Sequence, residues 1–179
     1  AHNLSNQRKA VDAMNVFPVP DGDTGTNMSL TILNGISEVT KSGSESLSTV
    51  AKIFSRGLLM GARGNSGVIL SQIFRGFAQY AKDKEELTVK ELSEALINGS
   101  KMAYKAVMRP TEGTILTVVR ESAEYGEIYI NNHPESSIEE FVNYIVDEAN
   151  ASLQRTPELL DVLKEAHCVD SGAMGYVTI

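Results

Sequence analysis

An all-α fold, built as an antiparallel bundle or barrel of about eight helices, is what this sequence predicts from three features. Apolar residues recur at steps of three and four along most of the chain, the rhythm of one helix face. Glycines, prolines and short polar runs interrupt that rhythm often enough to keep each helix short. The one strand-like run, "EIYINN", is too short and isolated to found a sheet, because a lone strand leaves both its edges unpaired.

Taken in order, the opening "AHNLSNQRKAVDAMN" reads as a helix entered part-way along, as though a helix upstream of it were missing. Met28, Ile32, Ile36 and Val39 share the face of a second helix, and Gly43 breaks it. Leu47, Val50, Phe54 and Leu58 mark the next, and Ile69, Ile73, Phe77 and Tyr80 another after the "GARGNSG" turn. Thr88 and Glu91 have capping-box spacing, and Pro110 closes the helix they start. A further helix runs from about Gly113 to Tyr125, and one from Ser137 carries Ile138, Phe141, Val142, Ile145 and Ala149 on one face. Pro157 fits the first turn of a last helix. With no repeat, low-complexity tract or linker, the expectation is a single domain over residues 1–179.

Composition narrows the function. Apolar content of 42% and charged content of 22% describe a chain able to fold around a core. A net charge of −7 argues against nucleic acid, which calls for clustered Lys and Arg. Cys168 is the only cysteine, so an intrachain disulfide and a thiolate metal cluster are excluded and a reducing cytoplasm is expected. No apolar run reaches the length of a membrane span. His2, His133 and His167 have no ligand spacing, and neither a GxSxG elbow nor a supporting context for Cys168 suggests a covalent nucleophile.

The chemistry gathers in the loops. In "NVFPVPDGDTGTNM", Asp21 and Asp23 stand one glycine apart just before a helix. Either alone is an ordinary turn or cap residue, with Asp23 or Thr24 as the cap. Together, two adjacent carboxylates repel unless a cation lies between them, and Gly22 lets both face one point. Hard oxygen ligands suit Mg²⁺, which fills its shell with water and substrate phosphates. A calcium loop fails on register, because counting from Asp21 the sixth position is Thr26 and the twelfth Ile32.

In "GLLMGARGNSGVILSQ", Arg63, Asn65 and Ser66 sit among Gly61, Gly64 and Gly67 at a helix start, where unpaired N–H groups and the helix dipole favour a phosphate. The plainer alternative is a cap at Asn65 or Ser66 with glycines that allow close packing. The stretch is neither a Walker A loop nor a GxGxxG fingerprint. "RPTEGTIL" opens a helix at Gly113-Thr114, and "VDSGAMG" offers Asp170, Ser171 and Gly172 in the same way.

These four loops, in this order, closely resemble the N-terminal nucleotide-binding domain of bacterial fatty acid kinase over nearly the whole chain. More distantly they resemble the ADP-binding subunit of dihydroxyacetone kinase. The resemblance implies a barrel of antiparallel helices holding ATP or ADP and two Mg²⁺ ions in loops at one end. It implies that Asp21 and Asp23 hold Mg²⁺ against the phosphates and act with Arg63 in transfer, while Thr24, Thr26 and Asn27 complete that region. The Asn65-Ser66-Gly67 helix start would take a phosphate, and Gly113-Thr114 and Asp170-Ser171-Gly172 would flank the nucleoside. A third metal-holding aspartate of dihydroxyacetone kinase is replaced here by Asn15 or displaced to Asp12, and a histidine after the pair is Thr24, departures that favour the fatty acid branch.

That branch implies phosphorylation of a fatty acid, presented by a separate fatty-acid-carrying protein, to an acyl phosphate used in phospholipid metabolism. It also implies further C-terminal domains, so that this chain is a piece of a multidomain kinase. The alternatives are a dihydroxyacetone kinase subunit, a nucleotide-binding regulatory module without turnover, and a helical scaffold.

Overall fold

The computed structural model describes residues 2–179 and is all-helical. Among the described residues there are nine helices: α1 (His2–Ala13), α2 (Thr24–Ser42), α3 (Leu47–Met60), α4 (Gly64–Tyr80), α5 (Val89–Ala106), α6 (Ile115–Asn132), α7 (Ile138–Leu159), α8 (Asp161–Glu165) and α9 (Ser171–Val177). Each of α1 to α7 packs on the next, so the chain travels up and down around the molecule. The short α9 touches α1, α2, α6 and α7, joining the two ends of that series.

The faces that periodicity marks turn for the most part inward to a common core, although Ile138 and Val142 of the α7 face are exposed. Met28 and Ile32 of α2 meet Leu58 of α3, Leu70 and Ile73 of α4, Val118 of α6 and Leu153 of α7, all buried. Ile36 is an exception, lying 39% exposed, because Gly35 occupies the inward position beside it. A side chain at Gly35 would strike Phe54, only 2.8 Å from an added Cβ, so α2 and α3 approach through this glycine and not through an isoleucine.

The Thr88–Glu91 capping box forms as the sequence predicts, and Ser137 makes a second with Glu140. Three boundaries differ. Helix α5 stops at Ala106, before Pro110, with Val107 already extended. The "EIYINN" run is the last part of α6, because Tyr129 stacks on Tyr144 of α7 at 4.3 Å and Ile130 is buried, a packing gain that outweighs local strand preference. Pro157 lies inside α7 near its end and not in the first turn of a new helix. A proline cannot donate to the carbonyl four residues back, that of Leu153; the Thr156 hydroxyl donates there instead, at 2.7 Å.

Candidate functional site

A cleft of about 560 Å³ opens at one end of the bundle, a volume suited to a nucleotide-sized ligand. The starts of α2, α4, α6 and α9 reach it, together with the α1–α2 loop and the loop after α5. Helix starts present unpaired N–H groups and the positive end of the helix dipole, so their convergence favours an anion. Neither Asp23 before α2 nor Arg63 before α4 caps the helix that follows it. The two capping boxes belong to α5 and α7, which begin at the opposite end.

Asp21 and Asp23 both line the cleft. Gly22 between them has φ +68°, the left-handed conformation that bends the chain there. Asn15, 7% exposed, donates its side-chain N–H to Asp21 Oδ1 at 2.6 Å and so fixes that carboxylate from below. Asp23 precedes α2 without capping it. That role falls to Asp12 of α1, whose carboxylate accepts the Thr26 backbone N–H at 2.9 Å and the Thr26 hydroxyl at 2.8 Å. Asp12 and Thr26 thereby tie α1 to α2, and neither lines the cleft.

The α4 start is fastened to α2 through Thr31, whose hydroxyl donates to the Asn27 carbonyl at 2.7 Å and accepts the Arg63 backbone N–H at 3.3 Å. Gly64 has φ +60°, and a Cβ there would lie 2.5 Å from Asn27 Nδ2. Asn27, Asn65 and Ser66 line the cleft, whereas Gly67 faces Thr31 and the exposed Arg63 stands outside the lining.

Across the cleft, Thr114 accepts the Leu116 N–H at the start of α6, and Gly113 lies behind it against Leu160. Asp170, 4% exposed, accepts backbone N–H groups of Ala173, Gly172 and Ile115, joining the α9 and α6 starts. Burial pushes its carboxyl up to about 6 despite those hydrogen bonds. Its own N–H goes to Thr156 Oγ1 at 3.1 Å, and Ser171 donates to Thr24 at 3.2 Å, which closes the ring of helix starts. Burial, and then the neighbouring Asp170, raise the Cys168 thiol above its ordinary value, the reverse of what a thiolate nucleophile needs.

Eleven of the sequence-predicted residues thus share one cleft: Asn15, Asp21, Asp23, Thr24, Asn27, Asn65, Ser66, Thr114, Asp170, Ser171 and Gly172. Thr26, Arg63, Gly67 and Gly113 stand just behind or beside it. Sequence reasoning missed the apolar walls, with Phe17, Val68 and Met108 among them, and missed Arg109. The Pro110 turn in "VMRPTEG" was the available signal for the last two.

Among the described residues no three His, Cys, Asp or Glu side chains gather at metal-binding distance. The donors do fit Mg²⁺ bound together with a polyphosphate. One or two carboxylates are its usual protein share, and Asp21 and Asp23 line one cleft with at least one oxygen each not taken by Asn15 or a helix cap.

The chain is 52% identical over all its 179 residues to protein YloV of Bacillus subtilis (strain 168). It is equally similar, at 52%, to an uncharacterized protein of Staphylococcus aureus (strain USA300). It spans 32% of the length of each, so these relatives contain further domains. Residues 18–179 match the DAK2 domain, and the chain belongs to that family of nucleotide-binding domains from kinase systems.

Proposed function

We propose that this chain is the Mg²⁺-dependent ATP-binding domain of a fatty acid kinase, working in the cytoplasm on a fatty acid brought by a carrier protein. The observation that supports it most is the meeting of the Asp21-Asp23 pair, left free of capping by Asp12, with the uncapped start of α4 in one nucleotide-sized cleft. In this reading the Ser66 hydroxyl and the α4 N–H groups hold a phosphate, Asp21 and Asp23 hold the metal, and Thr114 with Asp170–Gly172 borders the nucleoside. Bound Mg²⁺ would supply charge neutralisation along the phosphate chain.

A fatty acid carboxylate oxygen then attacks the γ-phosphorus, the bond to the β-bridging oxygen breaks, and acyl phosphate and ADP form. No protein nucleophile is needed, because positioning and charge stabilisation carry phosphoryl transfer. Among the described residues, no cysteine or histidine lines the cleft.

Calorimetric titration of the chain with ATP, with and without Mg²⁺, tests the binding half of this proposal: tight binding only with the metal is expected. The transfer half is tested in the full-length kinase with a loaded fatty-acid carrier, where acyl phosphate should form. Magnesium-dependent binding without transfer to any acid would leave a regulatory module, and transfer to dihydroxyacetone would redirect the reading to that kinase.

A further inference from the structure

The loop between α5 and α6 forms one wall of the cleft through Val107, Met108, Arg109 and Thr111. Arg109 is the only basic side chain lining the cleft among the described residues, against the three acids Asp21, Asp23 and Asp170. It makes no ion pair with any described residue, although Glu112 lies only three positions away.

Glu112 is held elsewhere. Its Oε2 accepts the Thr117 hydroxyl at 2.6 Å and the Arg120 guanidinium at 3.0 Å, and its Oε1 accepts the Tyr104 hydroxyl at 3.0 Å. Arg120 Nε also donates to Tyr104 at 3.1 Å. Tyr104 belongs to α5, and Thr117 and Arg120 to α6, so the base of the loop is bound to both flanking helices. Burial alone would raise the Glu112 carboxyl, but donation from Thr117, Arg120 and Tyr104 outweighs it and leaves it below the ordinary range.

We propose that Glu112, clamped by Tyr104, Thr117 and Arg120, is a positioning residue that fixes the α5–α6 loop and presents an unpaired Arg109 to the phosphate chain of the nucleotide. The inference rests on the nucleotide-binding reading above. The physical argument is one of charge and competition. A polyphosphate entering a cleft with three acids in a chain of net charge −7 needs a fixed cation as well as a metal. A carboxylate free to swing three residues along the loop would neutralise that cation. By engaging Glu112 fully, the cluster removes the competitor and stiffens the loop in one step.

Calorimetry with Mg-ATP and with adenosine on the unsubstituted chain, Arg109→Ala, Arg109→Lys, Glu112→Ala and the double variant Arg109→Ala/Glu112→Ala tests this. Arg109→Ala should weaken Mg-ATP about tenfold or more and leave adenosine unchanged, with Arg109→Lys recovering most of the loss. Glu112→Ala should also weaken Mg-ATP selectively, and should add little in the Arg109→Ala background. Should Glu112→Ala fail to melt cooperatively, Glu112→Gln takes its place, with a smaller loss of the same pattern. Wild-type affinity in Arg109→Ala, equal loss for both ligands, or fully additive losses would overturn the proposal while leaving the nucleotide reading intact. An unsubstituted chain that binds neither ligand would overturn both.

Discussion

Asn15 reaches across the α1–α2 loop to hold Asp21 at 2.6 Å, so the first carboxylate of the pair is anchored from the protein side while Asp23 stays free of any helix cap. The two aspartates are therefore unequal, and Asp21→Asn and Asp23→Asn should differ in apo stability but agree in function. Neither should unfold the chain, because an amide keeps the turn-forming ability of the acid. Both should lose most of the thermal stabilisation that saturating Mg-ATP gives by mass action. A full ligand-induced rise in melting temperature in both variants would reduce Asp21 and Asp23 to turn residues.

The α4 start separates Ser66, in the cleft, from Arg63, exposed beside it. Ser66→Ala should weaken Mg-ATP by about 1 kcal/mol while sparing adenosine. Arg63→Ala should have a smaller effect that fades with added salt, as expected of a solvent-screened charge. Titrations at low and high ionic strength distinguish the two, and a salt-independent loss at Arg63 would mean direct contact in the bound state.

Asp170 gives the apo protein a pH signature. Its folded value of about 6 lies above the ordinary 3.8, so the native state holds this proton more tightly than the unfolded chain does. The stability it contributes is complete below about pH 4 and is lost as pH rises through about 6, at most about 3 kcal/mol. Glu91, drawn down to about 2 by the Lys84 and Thr88 hydrogen bonds, works in the opposite sense at lower pH. Urea denaturation of wild type and Asp170→Asn between pH 4 and 7 should show that the decline over this interval disappears in the variant; parallel profiles would contradict the assignment.

Ser93 is 1% exposed on α5, and its hydroxyl has no hydrogen-bond partner. Ser93→Ala removes an unsatisfied buried group and improves helix propensity, so it should stabilise the fold by about 1 kcal/mol. A lowered melting temperature would show that the hydroxyl finds a partner in solution.

The helices were legible because apolar periodicity and the Thr88–Glu91 box are local signals, written within a few turns of sequence. The loops were legible for a similar reason, since paired acids and glycines at helix starts stand out against ordinary turns. What local pattern could not disclose were decisions made by distant partners. Tyr144 draws Tyr129 and its strand-like neighbours into α6, and Thr156 makes Pro157 tolerable inside α7. Asp12 caps α2 from another helix, freeing Asp23 for the cleft. Arg109 carries no motif and gains its meaning only from the cleft it enters and from Glu112 being engaged elsewhere.

The α9 helix, which touches α1, α2, α6 and α7, follows the other eight in the chain and is therefore the last of them to leave the ribosome. Until it arrives, Leu4 and Met28, which flank Gly175 in the finished fold, lack their cover. A partly made chain therefore leaves this apolar seam exposed until α9 follows, the kind of transient surface that invites aggregation. The same segment brings Asp170–Gly172 to the cleft, so the wall of the cleft is completed in the event that seals the seam.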